Sequence, residues 1–166
     1  MVWRVVSLKP RSTRKTKMFV IPFIVTDVEL MTTVITLEDN NTQGMYAISE
    51  VIYNRAKKDP KNIRKVLLKR YQFTCINSHT VKKEALRKLV MKAKSRSNWT
   101  IAMGIAKNVF AGKVSKLVGD STHYYVYKGR YKVTPSWGPP SLGGRNKKAK
   151  IVRYIGTHAY MSGVDD

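Results

Sequence analysis

The sequence predicts an α+β domain, mainly helical, with a small β region at its C-terminal end. Three observations carry this. Apolar residues recur at three- and four-residue spacing through residues 27–57 and 98–111. Residues of β type, with partial alternation, are confined to 121–133 and 150–161. No repeat, low-complexity tract or linker divides the 166 residues, a length suited to one domain with a single core.

The first helix starts at Asp27, because Thr26-x-x-Glu29 forms a capping box ahead of an apolar run. Val28, Met31, Val34, Ile35 and Glu38 recur at helical spacing, and Asn40 or Asn41 can take the left-handed conformation that ends a helix. A second helix is expected over 42–57, with Met45, Ile48, Ile52 and Tyr53 buried and Glu50 on the outer face. Asp59-Pro60 stops it and caps a short third helix, "KNIRKVLLKR". "YQFTCINS" is too apolar and aromatic for a free loop, yet it lacks helical periodicity. A basic helix over 81–94 follows. The next, over 98–111, carries Trp99, Met103, Ala106 and Phe110 on one side, and Gly112 ends it. The β stretches "STHYYVYKGRYKV" and "KIVRYIGTHAYM" come last, joined by the turn-rich "PSWGPPSLGG".

Charge narrows the partners. Thirty-two Lys and Arg face ten Asp and Glu, a net charge of +22. The basic residues cluster at 9–17, 55–70, 82–96 and 145–153, within amphipathic segments as well as at one end. Such a surface attracts polyanions: nucleic acid, anionic lipid, or envelope polymers bearing phosphate and carboxylate. The single cysteine, Cys75, rules out an internal disulfide framework and a zinc site built on several thiolates. No metal-ligand spacing and no cofactor motif is read in the chain. "RSTRKTKMFVIPFIV" superficially resembles a signal peptide, but its apolar run is short, broken by Pro22 and followed by no A-x-A-type site. It also falls below the roughly 20 residues that span a bilayer. Residues 1–25 are therefore expected to be a basic segment packed on a domain spanning 26–166.

Glu38 is the residue whose position raises a chemical question. A carboxylate at the C-terminal end of a helix meets the negative end of the macrodipole. Met31 and Ile35 on the same face make its surroundings apolar, and both effects disfavour the anion. A carboxylic acid that keeps its proton is what glycosidic cleavage requires, because the leaving oxygen must receive one. The plainer reading is a surface glutamate at a frayed helix end.

From Leu30 to Met161 the chain resembles the catalytic domain of the cell wall hydrolases that include spore cortex-lytic enzymes and bacteriophage lysins. "LMTTVITLE" ends in Glu38, where the family has its acid; "GMYAISEVIYNRA" supplies the following glycine and the Asn54-Arg55 pair. "YQFTC", "WTIAMGIAKNVFAG", "THYYV", "PSW" and "IGTHAYM" are similar, in the same order, to the family's later segments. One departure stands out: the family's A-x-G-E after the acid is replaced by Asp39-Asn40-Asn41-Thr42, so its second glutamate is missing.

The resemblance implies a lysozyme-like fold and a peptidoglycan-degrading enzyme that cuts the bond between N-acetylmuramic acid and N-acetylglucosamine, with Glu38 as general acid. The usual glycosidase uses two flanking carboxylates; with no second one in view, a lytic transglycosylase is expected ahead of a muramidase. Gln72, Phe73 and Thr74 would line the groove, although Phe73 and Cys75 also read as core. His123, Tyr124 and Tyr125 would meet the glycan, one tyrosine facing the groove and the other the core. Trp137 would stack on a sugar or pin its loop. His158 would hydrogen-bond the substrate or be a satisfied core histidine. The expected partners are peptidoglycan glycan strands, with anionic envelope polymers held by the basic surface, nucleic acid bound only non-specifically, and the protein a monomer. It would act at the bacterial cell wall or periplasm, as a phage lysin carried on the virion or released from the host cytoplasm.

Two rival classes remain. A peptidase or amidase could pair Cys75 with His123 or His158, or hold zinc with the histidines and an acid, though no H-E-x-x-H is present. A nucleic-acid-binding protein fits the charge and "HYYVYKGRYK", though no zinc-finger or RNA-recognition signature appears.

Overall fold

The computed structural model describes residues 24–69, 72–73, 75–76 and 83–165. The packed basic segment expected over 1–25 falls almost wholly outside them. Among the described residues five α-helices come first: α1 (Asp27–Glu38), α2 (Thr42–Arg55), α3 (Ile63–Leu68), α4 (Lys83–Lys94) and α5 (Trp99–Phe110). Three strands follow, β1 (His123–Val126), β2 (Lys150–Ile155) and β3 (His158–Ser162), in one antiparallel sheet ordered β1-β3-β2. The class is α+β and mainly helical.

α1 begins where its capping box predicts. The Thr26 hydroxyl accepts from the Glu29 N–H at 3.1 Å, and the Glu29 carboxylate accepts from the Thr26 N–H at 3.1 Å. Leu30 through Ile35 show no exposure and Thr36 none either, so the helix is enclosed on every side. Two threonines survive that burial because their hydroxyls donate back to the preceding turn, Thr32 to the Val28 carbonyl and Thr33 to that of Glu29. α5 packs along α1, and α2, α3 and α4 close the remaining sides. A helix apolar around most of its circumference is a core helix, and α1 is this domain's.

α2 starts at an Asn41 side chain that accepts from the Gln43 and Gly44 N–H groups. It stops at Arg55, two residues before its expected end, because Lys57 and Lys58 both take left-handed φ, +55° and +58°. Glu50 corrects the sequence reading. It is only 3% exposed, not on an outer face, and its carboxylate accepts from the Leu117 N–H at 2.7 Å, the Val118 N–H at 3.2 Å and the Ser115 hydroxyl at 3.0 Å. The face of α5 is also rotated from expectation. Ala102, Ile105, Ala106 and Val109 are buried against α1 and α2, while Trp99, Met103 and Phe110 are only partly covered.

The sheet's central strand, β3, is its most buried: His158, Ala159, Tyr160 and Met161 are all covered. Tyr124 of β1 pairs with Tyr160 and Val126 with His158. Polar side chains of α2 tie this region to the helices. Asn54 donates to the carbonyls of Gly119 at 2.8 Å and Ser121 at 2.9 Å, and the Arg55 guanidinium donates to that of Thr122. The chain therefore enters β1 at a fixed distance from the end of α1.

Candidate active site

Between the C-terminal end of α1 and the edge strand β1 lies an open cleft of about 370 Å³. Glu38 stands in one wall. The Tyr124 hydroxyl donates to its Oε2 at 3.1 Å, and the Cys75 N–H lies 3.5 Å from its Oε1. Gln72, Phe73, His123, Tyr125, Trp137 and His158 line the same cleft. Thr74 lies outside the described residues. Alternation along β1 sends its tyrosines to opposite sides, Tyr124 packing against the core cluster, and both border the cleft. The reason is the loop carrying Trp137, which folds against the second face of the strand. His123 and Tyr125, two residues apart and so on one side, have ring centroids 5.1 Å and 5.5 Å from Trp137. Tyr124, on the other side, stacks near His158 at 5.4 Å and Tyr160 at 5.5 Å.

Position 38 is held by more than its own helix. Residues at a helix C-terminus leave carbonyls without intrahelical partners. The buried Asn98 amide supplies donors to two of them, the Thr36 carbonyl at 3.2 Å and that of Asp39 at 3.0 Å. Asp39 turns away from the cleft wall. One carboxylate oxygen accepts the Asn41 N–H at 2.7 Å, and the other lies 3.5 Å from the His158 ring nitrogen Nδ1. The Asp39 carboxylate lies over Gly44, where a Cβ would push it aside. The chain after Glu38 thus turns tightly without disturbing the acid.

Electrostatics separate the groups around Glu38. Burial, with the Glu38 charge beside it, holds the Tyr124 hydroxyl far above its ordinary value, so Tyr124 is a donor and stays one. Burial and the same carboxylate push the Cys75 thiol far up as well, the reverse of what a thiolate nucleophile needs. His158 is lowered by burial, with Asp39 and Glu38 opposing, which favours its neutral form. Among the described residues, no three His, Cys, Asp or Glu side chains converge as metal ligands.

Several lining residues escaped the sequence reading: Arg55, Val126, Tyr131 and Val133. Arg55 passes over the Phe73 ring at 5.6 Å and reaches the Gln72 carbonyl at 3.5 Å, so it braces that wall. Tyr131 is 74% exposed, an uncovered aromatic surface at the rim of the cleft. Asn98 also escaped notice, because a buried amide 60 residues along the chain gives no local signal.

Among the described residues, no helix is long and apolar enough to cross a membrane. No curated protein and no solved structure matches the chain. The sequence profile of the cell wall hydrolase family matches residues 39–161, so Glu38 stands one residue ahead of the matched span.

Proposed function

The chain belongs to the cell wall hydrolase family, and from that premise we propose that it breaks the glycan of peptidoglycan at the bond between N-acetylmuramic acid and N-acetylglucosamine. The family itself supports the coarser statement, a hydrolase acting on peptidoglycan at the cell wall. One observation carries the finer one. Glu38 is the only carboxylate lining the cleft among the described residues, and it is oriented there by the Tyr124 hydroxyl.

In this mechanism the protonated Glu38 gives its proton to the bridging oxygen as the bond from muramic acid C1 breaks. Positive charge develops on the sugar ring. Tyr124, as a permanent donor, then stabilises the Glu38 carboxylate that remains. Retaining and inverting glycosidases place a second carboxylate about 5–5.5 Å or 6.5–9.5 Å from the first. Glu50 cannot serve, since its oxygens are taken by the 115–118 loop. Asp39 is engaged by Asn41 and faces His158. With one acid, the simplest completion is internal: the C6 hydroxyl attacks C1, Glu38 takes back the hydroxyl proton, and a 1,6-anhydro sugar results. The protein is then a lytic transglycosylase with a lysozyme-like arrangement of acid and groove. Tyr131 and Trp137 supply aromatic faces for sugar rings, and Gln72 an amide.

Mass spectrometry of the products released from purified sacculi tests the proposal. Anhydro-muramic ends are the expected result. Reducing muramic ends would replace the transglycosylase with a muramidase using water. Cut peptide stems on intact glycan would overturn the reading in favour of a peptidase or amidase.

A further inference from the structure

The cleft of Glu38 does not stop at β1. Tyr124 and His158 border it on the helical face of the sheet, His123, Tyr125 and Trp137 on the other, so it wraps the outer edge of that strand. On the second face lies a further cavity of about 290 Å³, lined by Tyr125, Tyr127, Lys132, Thr134, Ser141 and Leu142 among others. Tyr125 and Val133 line both spaces, so the two adjoin. The Val133 N–H donates to the Val126 carbonyl at 3.0 Å, which fastens the 127–132 loop at this edge. From that loop Tyr131 lines the cleft, while Tyr127 and Lys132 line the cavity. Tyr125 pairs with Ala159 and Ala159 with Tyr154, and residues opposite one another share a face. The Tyr127 ring lies 4.5 Å from that of Tyr154. Trp137, Tyr125, Tyr127 and Tyr154 therefore make an aromatic row on this face, open at its far end, where Tyr154 is 46% exposed. The Tyr125 hydroxyl in this row is buried and has no hydrogen-bond partner among the described residues. It lies against the 135–143 loop, since a Cβ on Gly138 would stand 3.3 Å from it. Buried hydroxyls are ordinarily paired.

We infer that this cavity is a further sugar subsite, taking rings of the same glycan strand that lie beyond those at Glu38 once the strand has crossed the outer edge of β1. The inference rests on the glycan-cleaving reading above. Continuity selects the occupant: a strand leaving the cleft past Tyr125 and Val133 meets this cavity next. The lining suits it, because tyrosine rings cover the apolar face of a sugar while Lys132, Thr134 and Ser141 offer polar groups to its hydroxyls. A ring hydroxyl lodged beside Tyr125 gives that side chain the partner it lacks.

Blocking the cavity tests this. Ser141→Trp and Thr134→Trp each fill it from an exposed position in its lining. Ser136→Trp adds the same kind of bulk to the same loop, at an exposed residue that lines neither space. Each is assayed on long glycan strands, with and without their peptides, and on peptide-free tetrasaccharides. The quantity read is kcat/KM per glycosidic bond on the long strand divided by that on the tetrasaccharide. The parent should favour long strands about tenfold. Both filling variants should bring that ratio to within about twofold of one, while keeping the parent's rate on tetrasaccharides, which reports an intact fold and acid. Ser136→Trp should keep the parent's ratio. A parent ratio near one, an unchanged ratio in the filling variants, or the same fall in Ser136→Trp would overturn the inference. So would a fall confined to strands that keep their peptides, since the cavity would then take the peptide branch. If the parent cleaves glycosidic bonds in no substrate, the glycan-cleaving reading fails and takes this one with it.

Discussion

The two walls of the cleft are held by different physics. Glu38 rides on α1, which is fixed by apolar burial: Leu30, Met31, Val34 and Ile35 have no exposure at all. The facing wall, β1 and the approach to it, hangs on α2 through polar anchors. Glu50 receives the N–H groups of Leu117 and Val118, Asn54 and Arg55 donate to the carbonyls of Gly119, Ser121 and Thr122. Burial gives the acid its depth; directed hydrogen bonds give Tyr124 its distance from the acid. Apolar packing tolerates exchange of similar volumes, whereas a buried hydrogen bond fails when one partner is lost.

That contrast can be broken at its strongest polar anchor. Replacing Glu50 with Ala strands the buried Val118 N–H and the part-buried Leu117 N–H, and the expected loss is about 3 kcal/mol of stability, read by denaturant unfolding. If the loss is under about 1 kcal/mol, the second wall is not held as described. Asn98→Ala attacks the other side, at a buried polar anchor of the C-terminal end of α1. It should cost about 1–2 kcal/mol, less than Glu50→Ala, because the Thr36 and Asp39 carbonyls each keep a second lone pair for other donors. A larger loss than that of Glu50→Ala would reverse the comparison.

Tyr124→Phe sharpens the question of distance. It removes the donor to Glu38 while keeping the ring between His158 and Tyr160. Turnover should fall about tenfold, equivalent to about 1.4 kcal/mol of barrier, with the circular dichroism spectrum unchanged. The smallest effect is on pH. His158 is lowered by burial, so the unfolded chain takes up its proton first as pH falls below 6.5. Stability is full above that value and declines as pH drops toward the folded-state value. His158→Gln should flatten that decline in a series of melting temperatures between pH 7 and 5; an unchanged slope would mean that His158 is not the group responsible.

The same contrast explains what the sequence made legible. α1 could be read from Thr26, Glu29 and the spacing of Met31 and Ile35, because capping and periodicity are local. Glu38 followed as the odd residue at the end of that pattern, and the cleft brings it together with Gln72, Phe73, His123, Tyr124, Tyr125, Trp137 and His158. Glu50 was misread because helical spacing alone set it outward. Its partners lie at 115–118, a loop whose return to α2 no periodicity announces. The face of α5 was only partly foreseen, at Ala106: Trp99 and Phe110 are its largest apolar residues, but close packing beside α1 selects small ones, adding Ala102 to Ala106. Arg55 and Tyr131 reach the cleft only through the fold.

The central claim is that Glu38 alone supplies the proton. Glu38→Gln preserves size and can still accept from Tyr124, but it has no acidic proton to give. Assayed on purified sacculi, with the melting temperature measured in parallel, the variant should lose about 10²- to 10⁴-fold in the rate of glycosidic cleavage while remaining folded. A folded variant that cuts the glycan at the parent's rate would contradict the account.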